Sequence, residues 1–269
     1  MKKIMIAQIS PILGELNKNF IKHIEIINRA VEEKCDLVVF PELSLTGYCL
    51  RDLVYEVAIN EQHEIITKLL DISNKISIVF GCAYLDENEL VYNTALHMDK
   101  GNLEYLHKKV YLPDYTMFEE GRYFARGSYI DVYKSLMGNT ALLICEDGLH
   151  ISSAYSLFRK GVSTIIIISN SPARGVYKEQ FYAKSMWETV TRFLSMSLTS
   201  FVIFVNRTGV EEGITFWGGS HVFDPFGNKV GSLPLISEDQ KAIEIELDDI
   251  YRARIASPFY KENYNMRGE

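Results

Sequence analysis

The sequence predicts an α/β fold in which a mixed sheet carries helices on its faces. Three observations predict it: short β-branched runs recur along the chain, helical periodicity fills stretches between them, and hairpin turns interrupt the alternation. The apolar runs are continuous rather than alternating, the pattern of strands buried on both sides. A chain of 269 residues with 47% hydrophobic and 12% aromatic content can bury a large core, so a single domain over 1–269 is expected.

Lys3 to Ile9 is a β-rich run, and Asn17 to Lys34 then places Phe20, Ile24, Ile27 and Val31 on one face of a helix. Asp36 to Phe40 is a short buried strand. A second helical stretch from Asp52 to Asn74 leads into a strand at Ile76 to Tyr84. Val91 to Met98 and Leu103 to Lys109 flank Asp99-Lys100-Gly101-Asn102 as a hairpin. Leu142 to Cys145, Ser163 to Ile168 and Phe201 to Val205 read as strands that each follow a helical stretch, the last helix being Lys178 to Thr199. Gly219 to Phe223 and Lys229 onward form a further hairpin around Asp224-Pro225-Phe226-Gly227-Asn228. No internal repeat, low-complexity tract or linker is visible.

The formal charge of −7 argues against a general nucleic-acid or membrane-surface role, since both want a basic face. The opening MKKIMIAQIS reads as a first strand rather than a signal peptide, and no apolar run approaches the roughly 20 residues that span a bilayer. A cytoplasmic protein is expected. Cys35, Cys49, Cys82 and Cys145 form no C-x-x-C pair and read as free thiols. The histidines show no H-E-x-x-H spacing, so neither a metal nor another cofactor is expected.

Three segments place reactive residues beside loop-forming punctuation at the ends of predicted strands: Phe40 to Tyr48, Lys108 to Phe124, and Leu143 to Asp147. Glu42 follows a hydrocarbon strand and emerges at the core edge, where a carboxylate is a usable base. Alone, it also reads as a solvated loop glutamate. Cys145 ends a buried strand and is followed at once by Glu146 and Asp147, yet a buried inert cysteine is its ordinary reading. Lys109 alone reads as a surface lysine. Jointly the three supply what a thiol attacking an amide carbonyl requires: a proton acceptor, a cation for the oxyanion and an acid for departing ammonia.

In order and spacing these segments resemble the signatures of the nitrilase, or carbon–nitrogen hydrolase, superfamily, over nearly the whole chain. The resemblance implies a four-layer α-β-β-α sandwich, a covalent cysteine intermediate and no metal. It implies Glu42 as general base, Lys109 as oxyanion stabiliser, Cys145 as nucleophile and Glu120 as a second glutamate that orients the lysine and substrate. Lys109 rather than Lys108 fits the Lys-x-x-Leu-Pro spacing, met at Leu112 and Pro113. Pro41 to Tyr48, Leu112 to Tyr115 and Cys145-Glu146-Asp147 look most like the glutaminase domain of glutamine-dependent NAD synthetases. No synthetase domain or phosphate-binding glycine loop follows within the 269 residues, so the chain is expected not to make NAD by itself.

The expected activity is hydrolysis of a small primary amide or carbamoyl compound through a cysteine thioester, releasing ammonia. A glutaminase-like subunit feeding a partner, a nitrilase and a silent binding module are the alternatives. The intact Glu42, Lys109, Glu120 and Cys145 set speaks against the last, and Glu146, where true nitrilases usually carry tryptophan, speaks against nitriles. Tyr48, Tyr115 and Phe118 are candidate pocket walls or packing aromatics. Glu146 could take the ammonium of an amino-acid-like substrate, and Ser171 sits in Ser169-Asn170-Ser171-Pro172-Ala173-Arg174-Gly175, a segment similar to the Asn-x-Ser-Pro element that helps hold glutamine in those domains. Face-to-face homodimers or higher assemblies are also implied, with the helices Asn17 to Lys34 and Lys178 to Thr199 available to support them.

Overall fold

The computed structural model describes residues 1–177 and 180–262. Its first half contains β1 (Lys2–Gln8), α1 (Leu16–Glu32), β2 (Leu37–Val39), α2 (Val54–Val57), α3 (Glu64–Ile72), β3 (Ser77–Leu85), β4 (Val91–Asp99), β5 (Asn102–Lys108) and α4 (Glu120–Tyr123). There follow β6 (Tyr133–Ser135), β7 (Gly138–Ile144), α5 (Ile151–Arg159), β8 (Thr164–Ser169), β9 (Val176–Tyr177), β10 (Gln180–Phe181) and α6 (Tyr182–Leu198). The chain continues through β11 (Phe201–Asn206), β12 (Thr208–Glu211), β13 (Ile214–Trp217), β14 (His221–Phe223), β15 (Lys229–Ser232), β16 (Asp239–Ile245), α7 (Asp248–Ala256) and α8 (Pro258–Glu262).

Two six-stranded sheets result, ordered β16-β1-β2-β3-β4-β5 and β15-β14-β11-β8-β7-β6. Each has a parallel centre, β1-β2-β3 in one and β7-β8-β11 in the other, with antiparallel strands outside it. The alternation of side chains on these strands explains the continuous apolar runs, because both faces are covered. On β1, Met5 and Ala7 meet Ile26, Ile27 and Ala30 of α1, while Ile4 and Ile6 face the other sheet. On β8, Ile166 and Ile168 face the first sheet, while Ile165 and Ile167 meet Leu157 of α5 and Trp187 of α6. The four layers α-β-β-α follow directly from this period-two pattern.

The hairpin after β4 forms as its sequence implies, with Lys100 at φ 50° and Gly101 at φ 76°, the two left-handed residues that a tight turn matched to strand twist requires. Elsewhere tertiary pairing overrides the local pattern. The helix expected over Asp52 to Asn74 is broken. Ile59 is drawn into the sheet, its N–H donating to Ala83 O at 3.0 Å and its carbonyl accepting from Leu85 N–H at 3.0 Å, so helical structure resumes only at α3. Strand β7 follows the hairpin partner β6 rather than a helix. Helix α6 starts at Tyr182, and Lys178, the expected start, lies outside the described residues. On α1 the most buried stripe runs through His23, Ile26, Ile27 and Ala30, with Phe20, Ile24 and Val31 only partly buried. Among the described residues no helix is long and apolar enough to cross a membrane.

Three histidines sit in the core: His23 against Phe40 and Ser44, His97 between Ser77 and Tyr133, and His221 beside Thr191. Burial pushes each down from 6.5 to about 4. Their folded pKa values lie below the unfolded one, so between pH 6.5 and 4 the unfolded chain binds more protons and stability falls as pH falls. Each histidine contributes a slope of about 1.4 kcal/mol per pH unit in that window. The melting temperature is therefore expected to drop steeply from pH 6.5 to 4.5, and His97→Gln to flatten the drop. A flat profile over that range would contradict the neutral buried assignment.

Candidate active site

Glu42, Lys109, Glu120 and Cys145 are far apart in sequence and meet at one end of the sandwich, beyond the carboxyl ends of the parallel strands. Glu42 arrives from β2 on a turn in which Leu43 takes φ 46°. Its backbone passes so close to β3 that Gly81 must be a glycine: an added Cβ would lie 2.4 Å from Leu43 N. His23, stacked on Phe40 at 4.1 Å, holds the same turn through Ser44 Oγ at 3.0 Å.

Lys109 directly follows β5 and keeps its pairing, donating N–H to Asn93 O at 2.9 Å. Strand alternation then decides between the two lysines. Lys108 points outward to Asp86 at 2.8 Å and over the Tyr92 ring at 3.8 Å, whereas Lys109 points inward and is 1% exposed. Glu120 opens the short helix α4 and turns into the same space, while Glu119 stays exposed. Cys145 directly follows β7 at φ 44°, a left-handed conformation that costs a non-glycine residue on the order of 1 kcal/mol and turns the chain out of the strand.

The polar contacts are close and dry. Lys109 Nζ donates to Glu42 Oε1 at 2.8 Å and to Glu120 Oε1 at 2.8 Å. Glu42 Oε1 also accepts from Asn93 Nδ2 at 2.7 Å, and Oε2 accepts from Asn170 N–H at 2.6 Å. Tyr48 OH donates to Glu120 Oε1 at 2.7 Å, and Ser169 Oγ, on the strand next to β7, donates to Cys145 Sγ at 3.3 Å. Burial works against the Lys109 charge, yet the Glu120 and Glu42 carboxylates more than offset it and hold its pKa well above the ordinary value. Burial, reinforced by Glu42, pushes the Glu120 carboxyl up. Burial and then the Glu42 charge push the Cys145 thiol far above its usual range, which favours the protonated sulfur.

Asp147, which the sequence marked only as part of the Cys-Glu-Asp string, ties the segment of Cys145 to the segment of Lys109. Its Oδ1 accepts from Val110 N–H at 3.0 Å and Tyr111 N–H at 2.9 Å; its Oδ2 meets Ile144 N–H at 3.2 Å and His107 Nε2 at 2.8 Å. One carboxylate thus fixes the residue before Cys145 and three residues around Lys109.

A cavity of about 320 Å³ opens onto Cys145. Tyr115, Phe118, Glu146 and Ser171 line it, together with Arg174 from the same segment as Ser171. Tyr115 OH donates to Glu146 Oε2 at 2.9 Å. Tyr48 does not line this cavity. It lies behind Glu120, edge-on to Phe118 and Phe216 and on a separate cavity of about 240 Å³, because its hydroxyl is drawn to the buried carboxylate. Asn93 was missed, and a lone asparagine inside the apolar run Val91 to Met98 was the one signal available for it; Ser169 and Asn170 belong to the segment that the sequence marked around Ser171.

A family model described as carbon–nitrogen hydrolase matches residues 3–255. The chain belongs to this family. Among relatives of the hydrolase, a glutamine-dependent NAD(+) synthetase of Acinetobacter baylyi is 30% identical over 246 residues, covering 91% of this chain and 44% of the relative. The hydrolase chain thus spans less than half the length of that relative. A crystal structure of a carbon–nitrogen hydrolase from Helicobacter pylori superposes with a TM-score of 0.88 at 21% identity, over 100% of this chain and 98% of the other. A structure of an amidase from Nesterenkonia sp., with acrylamide added at its active-site cysteine, superposes with a TM-score of 0.79 at 21% identity, over 95% and 98% of the two chains. The last two likenesses concern the fold, and the nitrilase-type sandwich is common to all of them.

Proposed function

We propose that this hydrolase cleaves the C–N bond of a small primary amide through a thioester on Cys145. The observation that carries the reading is the buried Lys109 ammonium held between Glu42 and Glu120 close to Cys145, whose side chain meets a cavity of about 320 Å³. In the first half-reaction Glu42 takes the thiol proton and the sulfur attacks the amide carbon, opening the C=O bond to an oxyanion. Lys109 has three N–H donors and uses two on the glutamates, which leaves the third for that oxyanion; the Glu146 backbone N–H is the second candidate donor. Collapse re-forms the carbonyl and breaks the C–N bond, with Glu42 returning its proton to the leaving nitrogen as ammonia. Glu42 then deprotonates a water that cleaves the thioester, giving the carboxylic acid and the free thiol. The Asn93 Oδ1, Glu120 Oε2 and Asn170 carboxamide atoms, buried without partners among the described residues, supply hydrogen-bonding capacity for such guests.

Glu146 and Arg174 place opposite charges on one cavity wall, which favours an amide carried by an amino acid as the more specific reading, with ammonia passed to a partner as its corollary. The test of the amide class is paired kinetics on one acyl group offered as amide and as nitrile. The amide is expected to have kcat/KM at least about tenfold higher, equivalent to ~1.4 kcal/mol of barrier, because the cluster is built to receive an oxygen-centred anion. A nitrile preference would overturn the amidase reading and leave Cys145 as the nucleophile candidate.

A further inference from the structure

Arg207 and Glu211 form an ion pair at 2.8 Å that is almost fully buried, and neither residue lines the Cys145 cavity. A buried pair of this kind adds little net stability over apolar residues of similar volume, because desolvation offsets the attraction. Its other contacts lead to an active-site carboxylate. Arg207 Nη1 donates to Glu211 Oε2, which leaves Oε1 to accept from Tyr48 N–H at 2.9 Å and Cys49 N–H at 2.7 Å. The guanidinium lies over the Phe216 ring at 4.3 Å, and Phe216 meets the Tyr48 ring edge-on at 6.0 Å. Tyr48 is thus held by its backbone and by its ring. Its hydroxyl ends on Glu120 Oε1 at 2.7 Å, the same oxygen that accepts from Lys109 Nζ. Glu120 Oε2 has no partner among the described residues, so Tyr48 and Lys109 are the donors that favour the charged carboxyl against burial and the Glu42 charge.

We propose that Glu211, braced by Arg207, is a positioning residue that keeps the Tyr48 hydroxyl on Glu120 and so keeps Glu120 turned onto Lys109. The charged groups facing Glu120 are Lys109 and Glu42, with Tyr48 as the neutral donor. The inference rests on the amide-hydrolase reading for its kinetic readout and is independent of it in the titration of Glu120.

The test keeps buried charge balanced, since Glu211→Ala alone would strand the Arg207 cation in the core. Both arms therefore carry Arg207→Met. In the Glu211→Gln arm the carboxamide oxygen still accepts from Tyr48 and Cys49, and in the Glu211→Leu arm nothing does. Losing the Tyr48 hydroxyl favours protonated Glu120, so activity that needs the carboxylate is lost at a higher pH as pH falls. The acid limb of kcat/KM should move up by about one pH unit in the Glu211→Leu arm, the size expected for one hydrogen bond to a charged group. The Glu211→Gln arm should restore most of that shift. Tyr48→Phe alone should match the Glu211→Leu arm, and combining the two should move the limb no further. KM should stay within a few-fold, because Tyr48 lies off the Cys145 cavity. Equal limbs in the two arms, a lower melting temperature with an unmoved limb in the Glu211→Leu arm, or additive shifts with Tyr48→Phe would overturn the proposal. Carboxyl-carbon NMR of glutamate-labelled protein, with the Glu120 signal assigned from Glu120→Gln, reads the same protonation without substrate. Its midpoint should rise in the Glu211→Leu arm and in Tyr48→Phe, and coincident midpoints in the two arms would overturn the proposal. Absence of amide turnover with those midpoints still separated would sink the hydrolase reading alone.

Discussion

Lys109→Ala is expected to lower kcat by about 10²- to 10³-fold, the usual cost of one oxyanion donor, while Lys108→Ala stays within a few-fold of wild type. The asymmetry is geometric. Lys108 and Lys109 are adjacent, but strand alternation sends the first to Asp86 on the surface and the second between two buried glutamates. Removing Lys109 also leaves Glu42 and Glu120 buried without their common cation, a change that costs about 3–5 kcal/mol in comparable buried pairs. Activity therefore has to be measured on protein shown to be folded, with Lys109→Met as a second variant that keeps the apolar stem. A loss in Lys108→Ala with Lys109→Ala near wild type would move the oxyanion role by one residue. Mild and equal effects would remove it from both.

Cys145→Ala is expected to abolish turnover, by about 10⁴-fold or more, in a protein that still folds. Alanine meets the same left-handed backbone at φ 44° that cysteine does, so the substitution adds little strain. The sulfur accepts from Ser169 Oγ, and its removal leaves that hydroxyl rather than a charge without its partner. A Cys145→Ala enzyme retaining a tenth of wild-type activity would contradict the account.

Much of this site was legible because its three segments are short and local. Glu42, Lys109 and Cys145 each stand at the end of a strand whose hydrocarbon run is visible in sequence, and strand alternation in the folded chain agrees with the Lys-x-x-Leu-Pro spacing in choosing Lys109. The supporting contacts were not legible, since each joins residues distant in sequence through sheet register. Asn93 reaches Glu42 across 51 positions, and Asp147 reaches His107 across 40. Tyr48 read equally as a pocket wall or a packing aromatic, and only the placement of Glu120 behind the lysine shows where its hydroxyl goes. The fold shows the same division. The four layers and the β4–β5 hairpin follow from local patterns, whereas β16 joins β1 from the far end of the chain, and the break at Ile59 arises from pairing with β3.

The most direct test of the central claim is intact-peptide mass analysis after brief incubation with a slowly hydrolysed amide. Cys35 and Cys82 are buried, burial and then the neighbouring Glu211 hold the Cys49 thiol up at about 12, and none of the three lines the cavity that Cys145 meets. The account predicts one acyl mass on the peptide that contains Cys145, absent from Cys145→Ala and lost on further incubation as the thioester hydrolyses. An adduct on Cys35, Cys49 or Cys82 with Cys145 unmodified would contradict it.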